Sequence, residues 1–349
     1  MEIKDFLIDE NATMIDAMKQ LDEVARKVLF VTSNNKFAAA LTDGDIRRWI
    51  LKNGDLKSPI CNIANYKPKF IYDNDKTDAQ AFLKKHSIEA LPVLNEDGDI
   101  ISIRFWDYDK VNNKDTLDLP VVIMAGGLGT RLYPYTKILP KPLIPIGEIP
   151  ITERIIHRFM DYGIDTFHMI INHKKNMIKA YFNELDKAYS INYAEEEQPL
   201  GTGGGLSLLK GKINSPFILT NCDIIIDEDY SKMVAHHQNN NNLITMIVSL
   251  KNTKIPYGVI DISDNGEIKD MREKPEMSYF TNTGMYIVDS KVINELPDNT
   301  SIGFPDIITK YKNEGYRIGV FPISDKSWMD MGQIEELEAM RQRLEKNAK

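Results

Sequence analysis

Residues 119–142 read LPVVIMAGGLGTRLYPYTKILPKP, and this stretch says more about function than the rest of the chain together. The apolar run 121–124 predicts a buried strand. It is followed by the loop GGLGTR at 126–131. Main-chain N–H groups in such a loop can approach an anion closely, because glycine has no side chain. Arg131 and Lys141 bring two cations to the loop. The stretch therefore predicts a phosphate-binding loop after a buried strand.

Two better-known phosphate loops do not fit this pattern. The loop lacks a Gly-Lys-Ser/Thr ending, and Leu132 stands where a dinucleotide-binding fingerprint has its third glycine. The alternative for two or three glycines alone is a plain strand-to-helix turn. The rest of the chain must therefore decide what the loop does.

Length and composition predict a two-domain soluble enzyme. The 349 residues exceed one ordinary domain of roughly 100 to 200 residues. The 43 basic and 51 acidic residues give a net charge of -8, which argues against nucleic acid or an anionic membrane as a partner. Cys61 and Cys222 are too few for a disulfide framework or a zinc site and indicate reduced thiols. Since we find no apolar signal core and no run of about 20 apolar residues, we expect a cytoplasmic protein.

The polar segment 107–118 interrupts the apolar periodicity and predicts a linker. We expect a first domain at 1–112, a linker at 113–118 and a second domain at 119–349. The first domain contains an approximate internal repeat, because segments 27–50 and 89–110 each read as strand, polar turn, strand and a following Asp. Helical spacing precedes the strands of both halves, at Met14, Ala17, Met18 and Leu21 and at Ala79, Phe82 and Leu83.

The two halves resemble a tandem pair of CBS (cystathionine-β-synthase) motifs, which implies a small α+β domain over residues 1–112. In that family a Thr or Ser followed three residues later by Asp binds a nucleotide. Thr42 and Asp45 match this signature, and Arg47 and Arg48 are candidate phosphate partners. The resemblance implies a regulatory nucleotide at this position.

The second half departs from the signature. Arg104 stands where the Thr would be, although Asp107 remains. At most one half therefore carries the full signature. The alternative is a pair that only dimerises and stiffens the protein, with Asp45 capping a helix.

The sequence pattern of the second domain predicts an α/β fold. Its strand-like runs are 121–124, 167–171, 217–220, 243–250 and 316–321. Pro150 opens a helix with Ile151, Ile155, Ile156 and Phe159 on one face, and Gly163 closes it. Alternating strands and helices predict a Rossmann-like, mainly parallel sheet with ligands at the carboxyl ends of its strands.

Two carboxylates stand out in this domain. Asp223 follows the apolar run 217–220, where it can reach toward a metal-bound phosphate. Asp330 lies between the bulky Met329 and Met331, where an uncompensated charge would be costly. Two carboxylates with phosphate oxygens and water are sufficient for Mg²⁺.

The pattern Gly-Gly-x-Gly-Thr-Arg-Leu-x-Pro-x-Thr at 126–136, followed by Pro-Lys-Pro at 140–142, resembles the opening motif of the sugar-1-phosphate nucleotidyltransferases. Segments 197–204, 273–275 and 282–284 resemble later motifs of that family, in family order. Each alone is also an ordinary turn or loop. The resemblance covers residues 119–335.

The resemblance implies a role for each site residue. The implied nucleotide-binding residues are Ala125, Gly126, Gly127, Gly129, Thr130, Gly201 and Thr202. The implied sugar-binding residues are Gly258, Glu273, Asn282 and Thr283, and the implied catalytic residues are Arg131, Lys141, Asp223 and Lys274. The implied Mg²⁺ ligands are Asp223 and Asp330. Glu196, Glu197 and Gln198 are all candidates for contacting the base, and the choice among them stays open.

The implied reaction explains this choice of residues. An oxygen of a sugar 1-phosphate attacks the α-phosphorus of a nucleoside triphosphate and pyrophosphate leaves, so the site needs cations more than a base. Arg131 and the loop amides are assigned to the β- and γ-phosphates, and Lys141 and Lys274 to the attacking phosphate. The six scattered histidines are predicted to be structural.

A CBS pair ahead of this domain resembles the bacterial glucosamine-1-phosphate guanylyltransferases of the legionaminic acid route. The resemblance favours GTP and glucosamine 1-phosphate, and a homo-oligomer, dimer or higher. The alternatives are a mannose-1-phosphate guanylyltransferase or an enzyme that uses UTP, CTP or dTTP. A non-catalytic, nucleotide-sensing regulatory subunit is a hypothesis of a different class. It predicts the loss of a charged site residue, whereas Arg131, Lys141, Asp223 and Asp330 are all present.

Overall fold

The computed structural model describes residues 2–24, 26–34, 36–75, 77–86, 88–105 and 116–347. The chain divides into two compact units, Met1–Asn113 and Lys114–Lys349. Asp107 and residues 113–115 of the expected linker lie outside the described residues. No helix in the described ranges is long and apolar enough to span a bilayer.

The N-terminal unit repeats one topology. Its elements are β1 (Leu7–Asp9), α1 (Met14–Val24), β2 (Val28–Ser33), β3 (Lys36–Thr42), α2 (Asp43–Leu51), β4 (Ile71–Tyr72), α3 (Ala79–His86), β5 (Ala90–Leu94) and β6 (Ile100–Phe105). They form two three-stranded sheets, β1-β2-β3 and β4-β5-β6. In each sheet the first strand is parallel to the second, and the second is antiparallel to the third. The repeat expected from the sequence is therefore present in the backbone.

The C-terminal unit is built around a seven-stranded sheet. Its strands, in spatial order, are β11 (Ser190–Glu195), β10 (Thr166–Ile171), β7 (Val121–Ala125), β12 (Phe217–Asn221), β17 (Glu276–Val288), β14 (Ile244–Lys254) and β18 (Ile318–Ile323). β17 is antiparallel to both neighbours, and every other pairing in the sheet is parallel. The mainly parallel sheet predicted from the sequence is confirmed.

Three two-stranded pairs surround this sheet. They are β8 (Pro145–Ile146) with β9 (Ile149–Pro150), β13 (Ile224–Ile226) with β19 (Trp328–Asp330), and β15 (Val259–Ile262) with β16 (Ile268–Arg272). The helices of this unit are α4 (Tyr135–Ile138), α5 (Ile151–Met160), α6 (Lys175–Glu184), α7 (Gly201–Gly204), α8 (Tyr230–Asn239), α9 (Ser290–Glu295), α10 (Phe304–Asn313) and α11 (Ile334–Asn347).

Apolar side chains of the central strands divide between two clusters. Val121 and Ile123 of β7 belong to one cluster, and Val122 belongs to the other. This division is expected, because successive side chains of a strand point to opposite faces. The predicted helix after Pro150 is α5, with Pro150 as its N-cap residue and Gly163 in a left-handed conformation beyond its end. Apolar packing on both faces stabilises the sheet, so that the carboxyl ends of its strands can carry polar side chains.

Candidate active site

The carboxyl ends of three parallel strands meet at one edge of the sheet. Ala125 of β7 pairs with Ile171 of β10, and Met124 pairs with Asn221 of β12. The one or two residues that follow each of these strands therefore lie side by side at the edge of the sheet. This register places the glycine loop between Asn172 and Asp223.

The glycine loop is closed on one side and open on the other. Gly129 has φ +66°, and a Cβ there would lie 2.9 Å from Cγ2 of Thr136 and 3.3 Å from Cβ of Lys141. The Thr136 hydroxyl donates to the Gly129 carbonyl at 2.8 Å. A Cβ at Gly127 would meet nothing within 4 Å. Glycine is thus required at 129 by its left-handed backbone, whereas 127 faces free space that an anion can enter.

Lys141 is ion-paired with Asp223 below this loop. Both side chains are largely buried, at 14% and 9% exposure. Burial opposes the charged form of Lys141, but the negative charges of Asp223 and Asp330 more than offset this effect and raise the pKa of the ammonium. Lys141 is therefore held in its cationic form.

Asp330 reaches the same place through the β13–β19 pair. Asp330 pairs with Ile224, the residue after Asp223, and the Met331 N–H donates to the Asp223 carbonyl at 2.9 Å. Burial raises the pKa of the Asp330 carboxyl to about 6, and the charges of Asp223 and Glu336 add to this rise.

Two cations oppose that rise without cancelling it. Lys141 and Arg131 both act to lower the pKa of Asp330, and the net effect is still a raised value. The rise comes first from burial and only in part from the neighbouring carboxylates. In the described parts of the chain no group of three or more His, Cys, Asp or Glu forms a metal cluster. The aspartate pair nevertheless fits Mg²⁺, which takes one or two carboxylates and completes its shell with water and phosphate.

Glu196 is the one buried member of the three candidates for contacting the base. It is 5% exposed, whereas Glu197 and Gln198 are exposed. A Cβ at Gly126 would lie 2.9 Å from Oε2 of Glu196, so this carboxylate borders the glycine loop. Burial raises the pKa of Glu196, against hydrogen bonds from Leu200 and Asn172 that lower it.

The segment 201–204 forms the short helix α7 rather than an open loop. Gly201 has φ +76°, and a Cβ there would lie 2.7 Å from the Ile302 carbonyl oxygen. The Thr202 hydroxyl accepts from the Phe304 N–H at 3.0 Å. The need for glycine at 201 thus follows from its left-handed backbone and its contact with the chain at 302, and its assignment to nucleotide binding stays a prediction.

The predicted sugar-binding residues form a second group. A Cβ at Gly258 would lie 3.0 Å from Oε2 of Glu273, and both residues are exposed at the base of the β15–β16 hairpin. Lys274 follows with φ +44° and an exposed side chain. Within the described ranges no hydrogen bond or ion pair joins Glu273 or Lys274 to Asp223 or Asp330.

Asn282 and Thr283 lie within β17, where the sequence suggested a loop. Asn282 is exposed, and its side chain donates to the Tyr286 hydroxyl. Thr283 is buried and its hydroxyl donates to the Ile247 carbonyl at 2.7 Å, which commits that side chain to the sheet. Gly284 lies against Asn221, because a Cβ there would be 2.4 Å from Asn221 Nδ2.

Three polar residues at this edge did not emerge from the sequence argument. Asn172 and Asn221 directly end or follow apolar strands, which is the signal that identified Asp223. Glu336 has no such signal, because it is an ordinary acidic residue in the first turn of α11.

The signature of the N-terminal unit forms a helix cap. Thr42 is the N-cap residue of α2, and its hydroxyl donates to Oδ2 of Asp45 at 2.6 Å. The Asp45 N–H donates back to the Thr42 hydroxyl at 3.2 Å, and Arg48 is ion-paired with Asp45. This capping box accounts for both residues in the absence of a ligand.

Comparison with known proteins shows which family this chain belongs to and which proteins it resembles. The sequence profile described as "Nucleotidyl transferase" matches residues 120–347. The chain is 32% identical over 182 residues to the bifunctional protein GlmU of Methanococcus aeolicus, covering 51% of this chain and 42% of that protein. It is 29% identical over 231 residues to the mannose-1-phosphate guanyltransferase of Schizosaccharomyces pombe, covering 62% of each. The chain thus spans less than two thirds of the length of these relatives. The crystal structure of HddC from Yersinia pseudotuberculosis superposes with a TM-score of 0.52 at 25% identity, covering 65% of this chain and 99% of that one.

Proposed function

Because the chain belongs to the nucleotidyl transferase family, we propose that it transfers a nucleotidyl group from a nucleoside triphosphate to a sugar 1-phosphate. The observation that carries this proposal is the assembly at one sheet edge of Arg131, Lys141, Asp223 and Asp330 beside a glycine loop with an open side. Two cations and two carboxylates suit a reaction between two phosphorylated substrates.

The reaction forms one P–O bond and breaks another. An oxygen of the sugar 1-phosphate attacks the α-phosphorus, and the bond to the β-phosphate oxygen breaks, so that pyrophosphate leaves with the electron pair. Negative charge accumulates on the leaving group, and preorganised cations stabilise it. Arg131 and the amides of 126–130 contact the β- and γ-phosphates in this proposal, and Lys141 and Lys274 contact the attacking phosphate.

Asp223 and Asp330 would hold Mg²⁺, which supplies positive charge to the phosphates when bound. Burial is the main cause of the raised pKa of Asp330, and the neighbouring charges of Asp223 and Glu336 add to it; a bound cation would offset these last two contributions. Lys141 keeps its own positive charge in the same cluster.

GTP is the favoured donor because Glu196 is the buried residue beside the glycine loop. A carboxylate only accepts hydrogen bonds. The Watson–Crick edge of guanine presents two adjacent N–H donors, which match its two oxygens. Uracil and thymine present one N–H between two carbonyls, which a carboxylate would repel. The guanyltransferase from S. pombe among the relatives supports the same choice.

Glucosamine 1-phosphate is the favoured acceptor, and mannose 1-phosphate is the alternative. The resemblance of the N-terminal unit to a CBS pair supports the first, because the glucosamine-1-phosphate guanylyltransferases of the legionaminic acid route share this arrangement. The relative from S. pombe supports the second. In the same proposal the N-terminal unit binds a regulatory nucleotide at Thr42 and Asp45 and dimerises.

Pyrophosphate release across GTP, UTP, CTP, dTTP and ATP with several sugar 1-phosphates tests the proposal. We expect GTP with glucosamine 1-phosphate to be the fastest pair. Glu196→Gln should shift preference from GTP toward UTP or dTTP by about 10-fold or more, the scale of one charged hydrogen bond. No turnover with any pair would favour the regulatory-subunit hypothesis. Calorimetry of the full chain with AMP, ATP and GTP, against Asp45→Ala, tests the N-terminal site.

A further inference from the structure

Lys174 makes an unusual set of contacts beside the glycine loop. It is the N-cap residue of α6 and has φ +53°, in the left-handed region. Its ammonium donates to the carbonyls of Thr136, Lys137 and Ile138 at 3.0, 2.7 and 2.9 Å. All three of its protons are thus directed at the last turn of α4.

α4 depends on these contacts more than an ordinary helix would. It has only four residues, and its last carbonyls have no partner within the helix. Thr136 is the buried residue of α4, whereas Ile138 is 74% exposed. The three hydrogen bonds from Lys174 therefore satisfy, from outside the helix, carbonyls that this short turn leaves without helical partners.

The turn is joined directly to the phosphate loop. The Thr136 hydroxyl donates to the Gly129 carbonyl at 2.8 Å. Gly129 in turn lies against the stem of Lys141, because a Cβ there would be 3.3 Å from Lys141 Cβ. A path of short contacts therefore runs from Lys174 through Thr136 and Gly129 to a catalytic lysine.

The two neighbouring lysines do not take part in this path. Lys175 and Lys179 both pair with Glu195, at 2.9 and 2.7 Å, on the surface of β11. The three lysines of this helical segment thus contact two different elements: Lys174 contacts α4, and Lys175 and Lys179 contact β11. Lys175 is therefore a matched control for Lys174.

We propose that Lys174 is a positioning residue for the nucleoside triphosphate, which holds segment 126–141 in its binding conformation through the carbonyls of α4. This inference rests on the proposed function. Lys174 belongs to a neighbouring strand–helix unit and touches no reacting atom. It acts by reducing the number of conformations that Arg131 and the loop amides sample, which lowers the ordering cost of binding.

The test compares Lys174→Asn, Lys174→Arg and Lys175→Asn. Asn tolerates the left-handed backbone but is too short to reach α4, so Lys174→Asn removes the three hydrogen bonds without adding backbone strain. We expect its KM for the triphosphate to rise roughly tenfold, the scale of a lost charged hydrogen bond, with little change in KM for sugar 1-phosphate. Amide hydrogen exchange in 130–141 should accelerate. Lys174→Arg should recover part of both effects, and Lys175→Asn should match wild type.

Equal exchange rates and triphosphate KM values in Lys174→Asn and Lys175→Asn would overturn the proposal. Calorimetric titration with a non-hydrolysable GTP analogue keeps the two hypotheses apart. A wild-type chain that transfers nothing, yet binds the analogue more tightly than Lys174→Asn does, would refute the proposed reaction and support the positioning role.

Discussion

Asp330→Asn should make the metal-free protein more stable while it removes activity. The pKa of Asp330 rises from 3.8 to about 6 on folding, so the folded chain binds this proton more tightly than the unfolded chain does. Ionisation of Asp330 therefore destabilises the fold. The penalty is absent below about pH 4, grows as the pH rises and is complete above about pH 6. Asn has the same shape and no charge, so it removes the penalty.

The magnitude follows from the pKa change. At about 1.36 kcal/mol per pKa unit, the penalty is at most about 3 kcal/mol at pH 8 and about half of that at pH 5. For a unit of this size, roughly 2 to 4 °C per kcal/mol gives a midpoint up to about 6 to 12 °C higher at pH 8. Turnover should fall by about 10²-fold or more, because charge stabilisation in the transition state is lost.

Scanning calorimetry in EDTA at pH 5 and pH 8 measures the effect on the C-terminal unit. Asp264→Asn, which changes an exposed carboxylate of the β15–β16 turn, is the control and should leave the midpoint unchanged. Added Mg²⁺ should stabilise wild type and not Asp330→Asn. A variant that is no more stable than wild type at pH 8 would refute the argument that the ionised Asp330 carboxyl destabilises the fold.

Three further predictions test the remaining charges and the loop. Lys141→Met should lower the free energy of unfolding by about 3 to 5 kcal/mol, because it leaves a buried carboxylate unpaired; an unchanged denaturation midpoint would contradict the ion pair. Gly129→Ala should lower the free energy of unfolding by about 1 to 2 kcal/mol, because its backbone is left-handed. Gly127→Ala should keep the stability of wild type and weaken triphosphate binding. An equal loss of stability in both variants would contradict the different roles assigned to the two glycines. Lys274→Ala should mainly raise the KM for sugar 1-phosphate, and Arg131→Ala should mainly raise the KM for the triphosphate. Each increase should correspond to a binding free energy of about 1.5 to 3 kcal/mol. A reversed pattern in steady-state kinetics would exchange the two assignments.

The parallel half of the sheet could be predicted because its signals are local. The run 121–124 is apolar without interruption, and a strand buried on both faces requires this. The same logic located 167–171 and 217–220, and all three are strands. Once their carboxyl ends are known to coincide, the proximity of the glycine loop and Asp223 follows.

The strands that sequence reasoning missed have weaker patterns. β11 reads SINYAE at one edge of the sheet, with polar residues on its exposed side. β17 begins with seven residues that are exposed or half-buried before its buried run at 283–288. Neither pattern resembles a buried parallel strand, and the antiparallel direction of β17 has no signal in the order of elements.

Contacts between distant segments could not be predicted either. The sequence identified Asp223 and Asp330 separately, but the third carboxylate, Glu336, approaches only because α11 starts beside β19. Lys174 stands out from Lys175 only through its left-handed backbone, which directs it to α4. The roles of all these residues in the reaction stay predictions.

The β13–β19 pair also sets the order in which the two carboxylates of the candidate site are synthesised. Asp223 and Asp330 meet only through the pairing of these two strands, which lie about a hundred residues apart in the chain. At roughly 5 to 20 residues per second, the ribosome adds the second carboxylate about 5 to 20 s after the first. During this interval the glycine loop, β10 and β12 have already emerged or are emerging, and Lys141, the ion-pair partner of Asp223, has been synthesised before it. The nascent chain therefore completes its parallel strands before it completes the carboxylate pair, and in the proposed reaction turnover would begin only after β19 has been synthesised.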